Sequence, residues 1–256
     1  MPKLVAVVGG KHSGKTTVIE SLIRQLKSRG YRVGTVKEMV RIPTLDTPAT
    51  ETDRYTKAGA ETVVAVPRNE TVIFLKKRLS IKEILPYLFG LDYVLLEGFE
   101  SEKTLTKIIA AKTAEEAASF SDGLAIAISG LITESKQETA KASELQIPLL
   151  NSLGQAEKLA DIIEQKAFAK LPALLHCGEC GYESCYAMAK AMVKGDGKAK
   201  GCMLTKKEKV TIEVNGIRIT LKEFPRQIIS DTLEGMVHSL EGVPEIKELK
   251  IKLKKE

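Results

Sequence analysis

Residues 3–17 have the sequence KLVAVVGGKHSGKTT, which decides the fold of the first part of the chain. Val5–Val8 is a short apolar run typical of a buried β-strand. Thr17–Arg29 places apolar residues at helical spacing, and Gly30 follows where a C-terminal helix cap is expected. The segment therefore predicts a strand, a glycine-rich turn and an amphipathic helix, in that order.

The turn matches G-x-x-x-x-G-K-[ST] at each fixed position. Glycines let successive backbone N–H groups point at phosphate oxygens, and the following helix adds the positive end of its dipole. In such a P-loop Lys15 reaches the β- and γ-phosphates, and the Thr16 hydroxyl binds Mg²⁺. The alternative is a glycine turn that only joins strand to helix. The candidate nucleotide-binding residues are Gly9, Gly10, Lys11, His12, Ser13, Gly14, Lys15, Thr16 and Thr17.

A second acidic group is expected at the same edge of the sheet, and DYVLLEG at residues 92–98 supplies one. Glu97 ends this apolar run, and open parallel sheets bind ligands at the carboxyl ends of their strands. Glu97 is thus a candidate for holding Mg²⁺ and, with Lys15, for catalysis; alternatively it only ends the strand. Asp46 and Asp53 flank a long loop and are further candidates for approaching the γ-phosphate, as a switch segment would. The Asn-Lys-x-Asp element that reads guanine in common GTPases is absent, so GTP and ATP both stay open.

Short apolar runs alternate with helical segments up to residue 166, which predicts a mainly parallel sheet with helices on both faces. Residues 62–76 predict an antiparallel hairpin, and Asn215-Gly216 predicts another. We predict an α/β P-loop NTPase fold with a nucleotide-binding domain at 1–168, a cluster segment at 174–203 and a ββαβ unit at 208–256. Further predicted strands are Tyr31–Lys37, Tyr93–Leu96, Lys107–Ala111, Leu124–Ser129, Ile147–Leu150 and Ile246–Leu253, and further predicted helices are Ile81–Leu88, Gln155–Lys166, Tyr186–Val193 and Ile228–Leu240.

All four cysteines lie within residues 177–202, at spacings x2, x4 and x16. Such clustering in a cytoplasmic chain favours a metal or cluster site over disulfides. Cys177, Cys180, Cys185 and Cys202 suit either a [4Fe–4S] cluster or zinc. Structural zinc usually uses two Cys-x2-Cys pairs and only one is present, so the spacing favours iron–sulfur. Zinc and unligated thiols are the alternatives.

Composition excludes some classes of function. The net charge is +6, but the lysines are scattered apart from the tail at Lys247–Lys255. Aromatic residues, at 5%, do not interleave with basic ones, so nucleic-acid binding is not expected. No apolar run approaches the length of about 18 residues that a membrane span needs. The N-terminus also lacks a signal-peptide cleavage pattern. We therefore expect a cytoplasmic protein whose ligand is a nucleoside triphosphate.

The first two-thirds of the chain resembles the molybdopterin-guanine dinucleotide biosynthesis protein B family. The matching stretches are VVGGKHSGKTT at 7–17, GYRVGTVK at 30–37, AGA at 58–60 and DYVLLEGF at 92–99. The resemblance implies a P-loop GTPase with weak turnover that binds GTP and Mg²⁺ and assists a molybdenum-cofactor nucleotidyltransferase or molybdoenzyme. The sequence allows a homodimer. Family members carry histidine after the lysine of the second strand, where this chain has Glu38 and Met39.

Residues 174–202 resemble the four-cysteine iron–sulfur domain of electron-transfer complexes and corrinoid iron–sulfur proteins. All four cysteines match in place, as do Ala189, Ala191 and Gly195 between the third and fourth. This resemblance implies a [4Fe–4S] cluster. The first interpretation is a GTP-dependent accessory protein of molybdenum or tungsten cofactor maturation, and the second is a nucleotide-gated redox or electron-transfer module. A metallochaperone or small-molecule kinase is a third alternative, but no acceptor-site base or lid is evident for a kinase.

Overall fold

The computed structural model describes residues 2–40, 42, 44–171, 180–196, 212–214, 217–219, 223–240 and 249. The chain divides into two compact units, residues 1–170 and residues 171–256. The three-part division into 1–168, 174–203 and 208–256 stays a prediction. In chain order the first unit contains β1 (Lys3–Val8), α1 (Lys15–Ser28), β2 (Val33–Lys37), α2 (Glu51–Lys57), β3 (Thr62–Ala65), β4 (Val72–Leu75), α3 (Ile81–Ile84), β5 (Tyr93–Glu97), β6 (Thr106–Ala110), α4 (Ala114–Ser119), β7 (Ala125–Ser129), α5 (Lys136–Ala142) and α6 (Ala156–Lys166).

The central sheet has five strands in the order β2-β5-β1-β6-β7, and each neighbouring pair is parallel. β1 lies in the middle, so the glycine-rich turn leaves the sheet at its centre. β5 lies next to β1 in a register that sets Val7 beside Glu97. The predicted α/β fold with a mainly parallel sheet is confirmed. Because parallel strands end at a common edge, this topology brings the ends of β1, β2 and β5 together.

Helices cover both faces of the sheet, as the near-continuous apolar strands require. On one face Leu4, Ala6 and Val8 pack with residues of α3, α4 and α5 in a single buried cluster. The opposite face contacts α1 and α6, whose apolar sides are buried. Successive residues of a strand point to opposite faces, which explains how one short run supplies both cores.

The remaining predictions for the first unit hold in part. β3 and β4 form the predicted antiparallel hairpin. The predicted helix at 81–88 is α3 followed by a 3₁₀ turn, Leu85–Leu88. The strand predicted at Ile147–Leu150 is wrong: only an isolated parallel bridge joins Leu149 to Ile128. Pro148 lacks an N–H group, which limits a strand there to an edge contact.

In the second unit the described elements are α7 (Cys185–Lys194), β8 (Ile212–Val214), β9 (Ile217–Ile219) and α8 (Glu223–His238). β8 and β9 pair in antiparallel fashion, as the hairpin prediction requires. The predicted turn residues 215–216 and most of the strand predicted at Ile246–Leu253 lie outside the described residues. Among the described helices, none combines the length and the apolar character that crossing a bilayer requires.

Candidate functional site

The turn after β1 is a tightly curled loop that leads directly into α1. Gly14 has φ 93°, a left-handed conformation that glycine adopts without steric cost, and it precedes the first helical residue, Lys15. His12 also has a positive φ, 59°. Ser13 between them is fully buried, and its carbonyl accepts a hydrogen bond from Leu131 N. Ser13 therefore anchors the loop to the segment after β7, while Lys11 and His12 are exposed.

The loop borders a cleft of about 500 Å³ at the carboxyl edge of the sheet. Three lysines and one glutamate line this cleft, a formal balance of +2 that favours a polyanionic ligand. Seven of the nine predicted nucleotide-binding residues lie in its wall; the other two, Gly9 and Gly10, do not. The lining residues are Lys11, His12, Ser13, Gly14, Lys15, Thr16, Thr17, Lys37, Glu97 and Leu131.

Lys15 directs its ammonium group back over the beginning of the loop. Its Nζ donates to the carbonyl of Gly9 at 2.8 Å and also to that of Gly10. Both acceptors are carbonyls, so the positive charge has no carboxylate among these partners. The ammonium thus lies at the loop and the N-terminus of α1, where phosphate oxygens are also attracted by the helix dipole.

Glu97 lies at the end of β5, as predicted, and is brought to the P-loop by the parallel pairing. Its Oε2 is 3.5 Å from the Thr16 hydroxyl, and its Oε1 forms an ion pair with Lys37 Nζ at 3.0 Å. Lys37 is the direct neighbour of Glu97 across the β2–β5 pair. Lys37 was not among the site residues predicted from the sequence. The available signal was its position as the last residue of a strand that ends at the same edge.

The two aspartates of the long loop do not join the cleft. Asp46 Oδ1 accepts a hydrogen bond from the Thr52 hydroxyl at 2.8 Å, within its own loop. Asp53 accepts from Ala49 N and forms an ion pair with Lys57, both nearby in sequence. The hydrogen bonds from Lys57 and the Ala49 amide hold the pKa of Asp53 below its usual value. In this structure both carboxylates therefore stabilise the loop and the start of α2.

Glu38, which stands where the resembling family carries histidine, has a structural role. Its carboxylate accepts a hydrogen bond from Phe99 N at 2.8 Å and forms an ion pair with Arg78. It thereby joins the end of β2 to the segment that follows Glu97 and to residues after the β3–β4 hairpin. At this position the chain therefore uses a carboxylate to connect these three segments.

A buried lysine holds the loop between β5 and β6. Lys107 is 1% exposed, and its Nζ donates to Glu100 O at 2.7 Å and to Asp122 Oδ2 at 2.9 Å. Burial lowers the pKa of Lys107, although the hydrogen bond to Asp122 opposes this effect. Because Glu100 follows Glu97 by three residues, this contact restrains the segment immediately after the candidate Mg²⁺ residue.

Only part of the four-cysteine segment is described. Cys185 is the first residue of α7 and is 8% exposed; Ser184 caps the helix by accepting from Ala187 N at 3.1 Å. Cys180 is half-buried. Cys177 and Cys202 lie outside the described residues. The helix N-terminus beside Cys185 offers the positive dipole end that an anionic thiolate or cluster prefers.

Comparison with known proteins gives two family matches on this chain. Residues 4–131 match the model for molybdopterin guanine dinucleotide synthesis protein B. Residues 175–203 match a model described as "Putative Fe-S cluster". The first match contains the P-loop, both strands that carry Lys37 and Glu97, and the loop after β7. The second contains all four cysteines.

Similar proteins extend the first match. The "Putative molybdopterin-guanine dinucleotide biosynthesis adapter protein" of Methanocaldococcus jannaschii is 30% identical over 257 residues, which cover 98% of this chain and 97% of the relative. The molybdopterin-guanine dinucleotide biosynthesis adapter protein of Escherichia coli K12 is 27% identical over 179 residues, 64% of this chain and 92% of the relative.

A solved structure shares the fold of the first unit. The crystal structure of Bacillus subtilis MobB superposes with a TM-score of 0.53 at 20% identity, covering 66% of this chain and 99% of that one. The chain is assigned to a family by the match over residues 4–131 and by the relative that is similar over nearly its whole length. It belongs to the molybdopterin guanine dinucleotide synthesis protein B family.

Proposed function

We propose that this protein is a nucleotide-dependent adapter in the attachment of a guanine nucleotide to molybdopterin. The observation that carries the proposal is the similarity to the adapter of M. jannaschii over 98% of this chain, which includes the cysteine segment. A relative that matched only the P-loop would support nucleotide binding and nothing more specific. The cleft at the sheet edge supplies the site at which an adapter of this kind would hold the nucleotide.

The nucleotide of the proposal is GTP with Mg²⁺. Lys11, Lys15 and Lys37 give the cleft the positive charge that a triphosphate needs. The oxygens of Thr16 and Glu97 lie 3.5 Å apart and are of the hard type that Mg²⁺ prefers, so this donor set fits the ion. When bound, Mg²⁺ would neutralise charge between the phosphates. The family resemblance favours GTP over ATP. Lys15 and Glu97 are the residues proposed to act on the phosphates during slow hydrolysis.

Adapter activity is testable in a reconstituted reaction. Molybdopterin, Mg-GTP and a molybdenum-cofactor nucleotidyltransferase are combined with and without this protein, and the guanine dinucleotide product is quantified. We expect the protein to raise the yield several-fold and to form no product by itself, because an adapter presents substrate to the enzyme and does not transfer the nucleotide. An unchanged yield, with the protein shown to be folded, would contradict the adapter proposal.

The second unit is proposed to carry a [4Fe–4S] cluster on Cys177, Cys180, Cys185 and Cys202. Support comes from the spacing, from the match over residues 175–203, and from the position of Cys185 at the first turn of α7. The burial of Cys185 beside an apolar helix face also fits, since clusters are shielded from solvent. Four thiolates would complete the coordination of all four irons.

Replacing Cys185 with serine is expected to remove most of the bound iron. After anaerobic purification the wild type should contain about four iron and about four sulfide per chain. The control is Ser184→Ala, which removes the cap of α7 but no thiolate and should keep its iron. If the wild type contains zinc and no sulfide, the proposal of a cluster is wrong and the cysteines form a zinc site. If Cys185→Ser retains its iron, this cysteine is not a ligand.

A further inference from the structure

Glu116 reaches from α4 to the P-loop. Its Oε1 accepts a hydrogen bond from the backbone N–H of Gly10 at 3.1 Å, and its Oε2 accepts one from Lys112 N at 2.6 Å. Gly10 follows β1, and Lys112 follows β6, the neighbouring strand of the sheet. One carboxylate therefore joins two loops that are far apart in sequence at the edge where the cleft opens.

The Glu116 carboxylate occupies the space that a side chain at position 10 would need. A Cβ atom at Gly10 would lie 2.1 Å from Glu116 Oε1, closer than any van der Waals contact. Any larger residue there must displace the carboxylate. The Glu116 N–H is itself fixed by the Thr113 hydroxyl at 3.1 Å, so the side chain extends from a capped helix turn. The two residues are thus fitted to one another.

The charge of Glu116 makes a purely electrostatic role implausible. A carboxylate close to a triphosphate site opposes anion binding, so a favourable contribution of Glu116 has to come from the backbone geometry that it fixes. Only a carboxylate presents two acceptor oxygens and no donor; the amide of glutamine would accept with one oxygen and place an NH₂ group against the other backbone N–H. The geometry therefore requires glutamate for the double contact.

We propose that Glu116 is a positioning residue for the nucleotide site. It fixes the first peptide of the P-loop against the loop after β6, and so presets the curvature that the phosphates need. This inference rests on the proposed nucleotide binding. It also assigns the loop after β6 to the nucleotide site, because ligands of open parallel sheets lie across the ends of adjacent strands. Glu116 acts through the two backbone amides and does not touch the ligand.

The test compares Glu116→Gln with Glu115→Gln, a control with the same charge change at an exposed neighbour on α4. Affinities for Mg-GTP and for inorganic triphosphate with Mg²⁺ are measured on the full chain, together with melting temperatures. Glu116→Gln should weaken both affinities about tenfold relative to Glu115→Gln, as expected for a lost hydrogen bond to a charged group. Unchanged or tighter binding would overturn the proposal, as would a lower melting temperature with unchanged affinities.

A second variant keeps the test independent of the stability of Glu116→Gln. Gly10→Ala should displace the carboxylate and weaken Mg-GTP binding to a similar extent. Combining it with Glu116→Gln should add little, because both changes break the same contact. Full additivity would refute the contact as the cause. If the wild type binds no triphosphate, the proposed function fails by itself. Faster hydrogen exchange of the Gly10 and Lys112 amides in Glu116→Gln would still support the double contact of Glu116, and unchanged exchange would exclude it.

Discussion

Replacing Lys15 with alanine is expected to raise the dissociation constant of Mg-GTP at least about 100-fold. The variant removes an ammonium group that would form hydrogen bonds to charged phosphate oxygens, each contributing about 1.5–3 kcal/mol. Alanine is the best helix former, so α1, which begins at this residue, should be retained. Titration with a fluorescent GTP analogue and thermal unfolding measure the two effects separately.

Lys11→Ala is the matched control for Lys15→Ala. Lys11 carries the same charge and lines the same cleft, but its side chain is exposed. Its loss should cost only a few-fold in affinity, because exposed charges are screened. The brown chromophore of an anaerobic sample should survive in both variants. Loss of nucleotide and chromophore together in Lys15→Ala would show that the two parts of the chain depend on one another.

The second large effect is expected for Gly130→Ala. Gly130 has φ 88°, and an added Cβ would lie 2.3 Å from the Ser13 carbonyl oxygen and 3.1 Å from Ala111 N. With ψ −159°, this backbone conformation is essentially restricted to glycine and costs another residue about 1–3 kcal/mol. The overlap with backbone atoms that cannot rotate away adds about 1–3 kcal/mol. Because Ser13 belongs to the P-loop, nucleotide affinity should fall together with stability.

Thermal unfolding of the full chain measures this loss. The melting temperature of the first unit should drop by about 10 °C in Gly130→Ala. Gly154→Ala is the control: the nearest atom to an added Cβ there is Asn151 Oδ1 at 3.8 Å, an ordinary contact distance. Equal melting temperatures for the two variants would mean that the loop after β7 does not support the P-loop.

Local sequence was sufficient to predict the P-loop and the buried strands of the central sheet. The glycine-lysine motif requires a strand before it and a helix after it, and β1 and α1 are found there. The apolar runs that became β5, β6 and β7 are buried on both faces, so they stand out from the rest of the sequence. The position of Glu97 at the sheet edge followed from the same reasoning.

Short helices were harder to predict from the sequence. α4 and α5 contain six and seven residues, too few to show an amphipathic period, and neither was predicted from the sequence. A usable signal existed at both starts: Thr113 and Ser135 each precede a glutamate by three residues, the pattern of a helix N-terminus. In the structure both hydroxyls accept the backbone N–H of that glutamate.

Contacts between distant segments could not be predicted from the sequence alone. Lys37 and Glu116 enter the site through strand pairing and through a side chain that crosses between loops. The spacing of residues within a motif does not predict such contacts, because they depend on the order of strands in the sheet. The backbone atom that leaves no space for a side chain at Gly130 likewise belongs to Ser13, more than a hundred positions away.

Isothermal titration calorimetry of the wild-type chain with Mg-GTP and Mg-ATP tests the central claim most directly. If the backbone amides after β1 hold a polyphosphate, at least one of the two nucleotides should give saturable heat with one site per chain. The same nucleotide should raise the melting temperature, since a ligand that binds only the folded state stabilises it. Absence of both heat and thermal stabilisation with either nucleotide would contradict the assignment of this loop as a nucleotide site.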